Sequence, residues 1–273
     1  MSDIVTEISG KILRVELNRP ARKNALTAAM YETLAGVFAS AAKDDQVRAV
    51  LWHGAGDVFC AGNDIQDFLE NPPGPGDSPQ AGLMRAFIDL DKPLVAAVHG
   101  AAIGGGATML THCDFVLAAE NTRFQLPFVD LALVPEFGSS YTIPARLGHL
   151  RAAELILLGL PFDAKRAAEC GLVTQVVPGP SLLGAATEVA QRLAAKPAGA
   201  LRACKRLMKR ASLEQLRSAI NAENEEFSTR VRSAEVREAL AAFLRKRAAP
   251  PLPAPSGGST ELSERNAHVP GNA

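Results

Sequence analysis

The sequence predicts a mixed α/β fold that ends in a region built of helices alone. In the first two thirds of the chain, short apolar runs alternate with loops and with segments of helical periodicity. From Ser181 onward the patterns are helical, and from Ala248 the chain becomes rich in Pro, Gly and Ser. We therefore expect a core domain over 1–195, a C-terminal helical subdomain over 196–247 and a disordered tail over 248–273.

The N-terminal elements follow from β-rich runs and one capping residue. Ile4–Ile8 and Ile12–Leu17 flank Ser9-Gly10, a pattern typical of a β-hairpin. Thr27 is the predicted N-cap of a helix that runs to about Lys43 with one apolar face. The next predicted strands are Val47–His53, Leu94–Val98 and Phe115–Ala118.

The later elements are an irregular loop and four helices. The stretch 71–79 contains four prolines and two glycines, which excludes regular structure. The predicted C-terminal helices are Leu182–Ala195, Ala198–Ala211, Glu214–Arg230 and Ala234–Arg247.

Composition and charge exclude several classes of protein. Hydrophobic residues make up 47% of the chain, enough for a well-filled core. Lys and Arg balance Asp and Glu at 29 each, so no net charge favours nucleic acid or membrane partners. The four cysteines are scattered, which disfavours a disulfide framework or a zinc site. The N-terminus has no leader-like pattern, and we expect a cytoplasmic protein.

Two glycine-bearing turns stand out, each after a predicted strand. One is Phe59–Ile65, which contains Gly62, and the other is Val98–Thr108, which contains Gly104-Gly105-Gly106. Such turns can bring unpaired backbone N–H groups close to a ligand oxygen. Tight contact between a helix and a strand explains the same glycines, and the residues alone leave both interpretations open.

A set of motifs resembles the crotonase (enoyl-CoA hydratase/isomerase) superfamily. The motifs are Asn18-Arg19-Pro20, Asn24-Ala25-Leu26, 59–65 and His99-Gly100 through Gly106, in the family's order over roughly residues 3 to 247. The resemblance implies a ClpP-like spiral of ββα units and a helical trimerisation region. It also implies a homotrimer or a dimer of trimers, and a thioester oxygen held by two backbone N–H groups.

The resemblance also assigns residues that bind the substrate. It puts the two N–H donors on Asn63 and Gly105. It implies that coenzyme A, as part of the substrate rather than a separate cofactor, lies along a short set of residues: Lys23, Ala25, Ala61, Gly62, Asn63, Asp64, Ile65 and Gly105. Phe243 and Lys246 fall where family members reach a neighbouring subunit's ligand. A solvated loop charge explains Lys23 equally well, and a helix cap explains Asp64.

The two glutamates of the family's hydratases are missing here. Their positions hold Thr108 and Phe128, whose side chains cannot relay a proton at neutral pH. A different carboxylate, Glu136, lies among apolar residues and is a candidate for proton transfer. The alternative is a structural role, in which its charge complements the dipole of the helix that follows Ser139. The segment from Pro135 to Tyr141 resembles the catalytic segment of peroxisomal-type Δ3,Δ2-enoyl-CoA isomerases, which favours Glu136 as the catalytic acid and base.

These observations predict a Δ3,Δ2-enoyl-CoA isomerase of fatty acid β-oxidation that uses no metal. The alternatives are an enoyl-CoA hydratase or other crotonase-family enzyme, and an acyl-CoA-binding protein without catalysis. Asp130 is a candidate second acid, although a helix-end or exposed carboxylate is the favoured interpretation. Ser139 and Ser140 lack the G-x-S-x-G context of a serine hydrolase. Glu223, Glu225 and Glu226 are expected on a solvated or intersubunit helix face.

Overall fold

The computed structural model describes residues 2–72 and 78–248, with the side chains of 246–248 excepted. The predicted tail therefore lies outside the described residues, apart from Ala248, which ends the last helix. Most of the predicted irregular stretch 71–79 also lies outside them. Its final residue does not fit that prediction, because Pro79 begins a helix whose N-cap is Ser78. Proline is well suited to this first helical position, where its missing N–H has no intrahelical partner.

A six-stranded sheet forms the centre of the chain. Its order is β1-β2-β3-β4-β6-β9, with β1 and β2 antiparallel and the other neighbours parallel. The strands are β1 (Ile4–Ser9), β2 (Ile12–Leu17), β3 (Ala49–Gly54), β4 (Leu94–Val98), β6 (Phe115–Ala119) and β9 (Gln175–Val177). Every residue of β3 and β4 is buried, as expected for parallel strands covered on both faces.

The predicted N-terminal hairpin is confirmed. Ile4 pairs with Leu17 and Ser9 with Ile12. The two turn residues, Gly10 and Lys11, have φ angles of 56° and 65°. Positive φ at both positions matches the twist of a two-residue hairpin.

A second, three-stranded sheet lies beside the glycine-rich turns. It consists of β5 (Ala101–Ile103), β7 (Arg123–Gln125) and β8 (Phe162–Asp163), with β7 in the middle. Strand β5 directly precedes Gly104, so this small sheet sets the position from which the glycine turn departs.

The α-helices of the described residues match the predicted ones within two residues where a prediction was made. They are α1 (Ala28–Lys43), α2 (Ile65–Glu70), α3 (Pro79–Asp89), α4 (Gly105–Thr108), α5 (Ser139–Leu147), α6 (His149–Leu157), α7 (Ala164–Glu169), α8 (Leu182–Ala194), α9 (Ala198–Arg210), α10 (Leu213–Arg230) and α11 (Ala234–Ala248). The Thr27 hydroxyl accepts from the Met30 N–H at 3.3 Å, so the predicted cap of α1 is confirmed. Among the described residues, no helix combines the length and apolar character of a membrane span.

The core has two layers, one on each face of the large sheet. On one face, Phe38 of α1 and Phe87 of α3 lie 4.8 Å apart between ring centroids, and Trp52 of β3 packs against Phe87 at 5.7 Å. On the other face, the small residues Ala186 and Ala190 of α8 are fully buried against the sheet. The chain is therefore a mixed α/β fold, as the sequence predicts.

The C-terminal helices pack on the core. Helix α10 contacts α5, and α11 contacts the 3-10 helix Val129–Leu131. Because both contacts flank the turn at Glu136, these helices close one side of the region described next.

Candidate active site

The first turn leaves the backbone N–H of Asn63 free to bind a ligand. The Leu26 N–H donates to the Gly62 carbonyl and the Asp64 N–H donates to the Leu26 carbonyl, each at 2.8 Å. These bonds hold the residues on both sides of Asn63. In the described part of the chain, the Asn63 N–H itself donates to no backbone carbonyl.

The second turn brings Gly105 next to the first. Gly104 has a φ of 52°, and Gly105 begins α4, where the first N–H groups have no intrahelical acceptor. A Cβ at Gly62 would lie 2.8 Å from the Ile103 carbonyl oxygen and 3.9 Å from the Gly105 nitrogen, so the two turns are in close contact. The expectation of positive φ holds for Gly104 alone among the three glycines.

Gly105 and Gly106 are needed for close approach rather than for their backbone angles. A Cβ at Gly105 would lie 2.8 Å from Oε1 of Glu136. A Cβ at Gly106 would lie 2.7 Å from the carbonyl oxygen of Cys60. Contacts below 3.0 Å cannot be accommodated without moving backbone or the carboxyl group.

Glu136 is buried beside these two turns. The residue is 5% exposed, and burial raises its pKa from 4.5 to about 7. A side-chain hydrogen bond with Asn63 opposes this shift, and the negative charge of Glu223 adds to it. The apolar setting includes the buried rings of Phe128 and Phe137. The shift has the expected direction, since desolvation disfavours the carboxylate.

A hydroxyl group that the sequence did not reveal orients this pair. The buried Tyr31 hydroxyl donates to Oδ1 of Asn63 at 2.7 Å. The amide oxygen of Asn63 is thereby occupied, and its nitrogen is the group that can donate to Glu136. Tyr31 lies on the apolar face of α1, where a core residue is the ordinary expectation, and its hydroxyl was the one available signal.

Asn63, Gly105 and Glu136 share the wall of one cavity of about 800 Å³. Lys23, Ala61, Gly62, Ile65 and Phe243 of the predicted substrate-binding residues also line this cavity. Ala25 and Asp64 do not belong to its wall. The side chain of Lys246 lies outside the described residues, so its predicted contact stays a prediction.

The carboxylate of Asp64 is used within the protein. It accepts from the N–H of Gln66 at 3.1 Å, which caps α2. It also pairs with Arg19 at 2.7 Å and with Arg22 at 3.2 Å. The helix-cap interpretation of Asp64 is confirmed, and a contact with coenzyme A through this side chain is not supported by the geometry.

Thr108 and Phe128, which occupy the positions of the hydratase glutamates in the family resemblance, differ in whether they line the cavity. Thr108 is fully buried and its hydroxyl donates to the Gly105 carbonyl at 3.3 Å. Phe128 is buried and lines the cavity. Asp130 is exposed, as expected, and lies at the cavity rim near Gly159. Neither Thr108 nor Phe128 can transfer a proton to a ligand in the cavity.

The prediction for Glu223 is wrong. This residue is 6% exposed rather than solvated, and its two carboxylate oxygens accept from the N–H groups of Gly138 and Ser140 at 2.6 and 2.7 Å. Glu225 and Glu226 are exposed on the same helix, as expected. The sequence shows only a run of acidic residues. In the helix, Glu223 faces the core whereas Glu225 and Glu226 face outward, because neighbouring positions of a helix point in different directions.

Comparison with known proteins identifies the family. The enoyl-CoA hydratase/isomerase family matches residues 7–250. The 1,2-epoxyphenylacetyl-CoA isomerase of Escherichia coli (strain K12) is 34% identical over 256 residues, which are 90% of this chain and 97% of that protein. Enoyl-CoA delta isomerase 2 of Rattus norvegicus is 36% identical over 239 residues, which are 84% of this chain but 59% of that longer protein.

Solved structures agree. Pseudomonas aeruginosa OdaA superposes with a TM-score of 0.87 at 44% identity, covering 89% of this chain and 99% of that one. An enoyl-CoA hydratase/isomerase from Pseudoalteromonas atlantica T6c superposes with a TM-score of 0.86 at 36% identity, covering 90% and 98%. The fold is the predicted crotonase fold, and the chain belongs to the enoyl-CoA hydratase/isomerase family of the crotonase superfamily.

Proposed function

We propose that the chain is a Δ3,Δ2-enoyl-CoA isomerase acting in fatty acid β-oxidation. One observation carries the proposal: the buried carboxyl group of Glu136, with a pKa of about 7, lines the same cavity as Asn63 and Gly105. A group with this pKa near working pH serves both as a base and as an acid.

The reaction proceeds in two proton transfers. The Glu136 carboxylate removes a proton from C2 of a 3-enoyl-CoA, and the electron pair shifts to give a dienolate with a negative thioester oxygen. The N–H groups of Asn63 and Gly105 hydrogen-bond to that oxygen, an arrangement in which one donor typically contributes about 3–4 kcal/mol. Protonated Glu136 then donates to C4, the carbonyl reforms, and the double bond lies between C2 and C3.

One carboxyl group is sufficient because the base step precedes the acid step. Hydration requires a second group to activate water, and the corresponding positions hold Thr108 and Phe128. The mechanism uses no metal, and coenzyme A belongs to the substrate. In this proposal its chain lies along Lys23, Ala61 and Ile65 at the cavity wall.

The test compares two carboxylates of the same cavity. Glu136→Gln removes the proposed acid and base, and Asp130→Asn removes the exposed carboxylate at the rim. With 3-hexenoyl-CoA as substrate, formation of the conjugated thioester is followed by its ultraviolet absorbance. We expect Glu136→Gln to lower kcat by about 10³-fold and Asp130→Asn to change it by less than about 3-fold. Near-normal turnover by Glu136→Gln refutes the assignment.

A second substrate is favoured by one relative. The Escherichia coli protein that aligns along 97% of its length is named a 1,2-epoxyphenylacetyl-CoA isomerase. The same assay is therefore run with 1,2-epoxyphenylacetyl-CoA and with 2-hexenoyl-CoA. Preferential consumption of the epoxide identifies that activity, hydration of the 2-enoyl thioester identifies a hydratase, and acyl-CoA binding without turnover identifies a non-catalytic binding protein.

The assembly stays a prediction from the family resemblance. We propose a homotrimer or a dimer of trimers in the cytoplasm. Light scattering coupled to size-exclusion chromatography distinguishes these masses from that of the 28.8 kDa chain.

A further inference from the structure

The turn that carries Glu136 has an unfavourable backbone conformation. Phe137 is a buried non-glycine residue with a φ of 61°, and Gly138 follows with a φ of 69°. A Cβ at Gly138 would collide with Cδ1 of Leu216. Side chains larger than glycine rarely adopt such angles, and they persist where the surroundings hold them.

Two side chains outside the turn hold it. Nε2 of His112 lies 2.7 Å from the Phe137 carbonyl oxygen. Glu223 reaches from α10 and accepts from Gly138 through Oε2 and from Ser140 through Oε1. The carboxylate thus binds the N–H of Gly138, the N-cap of α5, and the N–H of Ser140 in its first turn, where a negative charge is favoured.

Glu223 also affects Glu136 electrically. In its ionised form it helps to raise the pKa of Glu136, after the larger effect of burial. Burial also raises the pKa of Glu223 itself, and its hydrogen bonds with Ser140 and Gly138 oppose that rise and favour the carboxylate.

Tyr31, Cys60 and His112 are further titratable groups close to Glu136 or to this turn, and Tyr141 follows the turn in sequence. Burial raises the pKa of Tyr31 well above its ordinary value and that of Cys60 to about 12, and it lowers the pKa of His112 to about 4. Tyr31, Cys60 and His112 are therefore uncharged at neutral pH.

We propose that Glu223 is a positioning residue for Glu136, whose carboxylate holds the 136–140 turn in its working conformation and places a negative charge behind the base. The inference rests on the proposed function of Glu136. It assigns to the C-terminal helical region an indirect part in proton transfer, through a carboxylate that is more than eighty residues away in the sequence from the turn it holds.

Glu223→Gln tests both parts of this role. The glutamine keeps the shape and one acceptor, but it loses the charge and turns an NH₂ group toward one backbone N–H. Glu225→Gln, at an exposed position of the same helix, is the matched control. We expect Glu223→Gln to lower kcat by about 10-fold with KM within about 2-fold. The acid limb of kcat/KM should move to lower pH by about half a unit to one unit.

The outcomes separate positioning from general stability. A folded Glu223→Gln protein whose kcat and acid limb equal those of the Glu225→Gln control overturns the proposal, and so does a lower kcat with an unmoved acid limb. If Glu223→Gln does not fold, Glu223→Asp replaces it, since it keeps the charge but shortens the reach. Lower kcat with an unmoved acid limb then supports the proposal, and unchanged kcat overturns it.

Failure of the proposed function is recognised separately. Wild-type protein that turns over no 3-enoyl-CoA refutes the isomerase activity. The Glu136 titration is then read without substrate, from the pH dependence of its carboxyl infrared band, identified by difference against Glu136→Gln. A lower pKa in Glu223→Gln supports the positioning role, and an unchanged pKa overturns it.

Discussion

Replacing the proposed catalytic residue by its amide should stabilise the protein at alkaline pH. Burial raises the pKa of Glu136 from 4.5 to about 7, so the folded state disfavours the carboxylate. Each pKa unit corresponds to about 1.4 kcal/mol, which gives a cost of about 3 kcal/mol at pH 8, where Glu136 is ionised in both states. At pH 5.5 the folded state holds the proton, and the remaining cost is about 1.4 kcal/mol.

Glu136→Gln removes this charge while it keeps an oxygen that can accept from Asn63. We therefore expect its free energy of unfolding to exceed that of the wild type by about 2–3 kcal/mol at pH 8, and the advantage to shrink by about 2 kcal/mol at pH 5.5. The sign follows because a raised pKa in the folded state gives stability below the unfolded pKa that is lost as pH rises through 7.

Urea denaturation at both pH values measures the difference, at equal protein concentration because assembly affects apparent stability. Glu225→Gln, with an exposed side chain, should show no such pH-dependent change. A Glu136→Gln protein whose stability relative to the wild type is the same at pH 8 and pH 5.5 would show that Glu136 does not titrate near neutrality. The reasoning from burial would then be refuted.

Three further outcomes follow from the site. The pH profile of kcat/KM should fall about tenfold per unit below an apparent pKa of about 7, because the first step needs ionised Glu136; a limb near 4.5 contradicts this. Gly105→Ala should lower kcat by at least about 10²-fold in steady-state assays while urea denaturation shows a folded protein, because its Cβ would come within 2.8 Å of Glu136 Oε1 and 3.2 Å of the Tyr31 hydroxyl oxygen. Asp64→Asn should reduce the free energy of unfolding by about 2 kcal/mol, because the amide can still cap α2 but no longer pairs a charge with two arginines; an unchanged urea midpoint contradicts this.

Elements with clear periodicity or a capping signal were predictable from the sequence. The helix capped by Thr27, the buried strand Leu94–Val98 and the four C-terminal helices follow from such patterns. The strands of two or three residues were not predictable. Ala101–Ile103 and Phe162–Asp163 are too short to show an alternation, and their pairing depends on neighbours distant in sequence.

The residues of the site also fall into those that could be predicted from the sequence and those that could not. Asn63, Gly105 and Glu136 lie in local motifs, so the residues that line one cavity could be named from the sequence. Tyr31 and Glu223 could not. Each acts through a hydrogen bond to a residue 32 or more positions away, and each occupies a helix position with an ordinary alternative explanation.

The glycine turns have a consequence for how activities diverge on this scaffold. The groups that face the thioester oxygen in our proposal belong to the peptide chain itself, and bonds such as Asp64 N–H to Leu26 O fix their spacing. Substitution by any residue except proline leaves a backbone N–H in place, whereas a single substitution readily removes an acidic side chain. In this chain positions 108 and 128 hold Thr and Phe, and the buried acid stands at 136. Because backbone N–H groups bind the thioester oxygen in this proposal, the acidic residue can change, and the reaction with it, while binding of the thioester is retained.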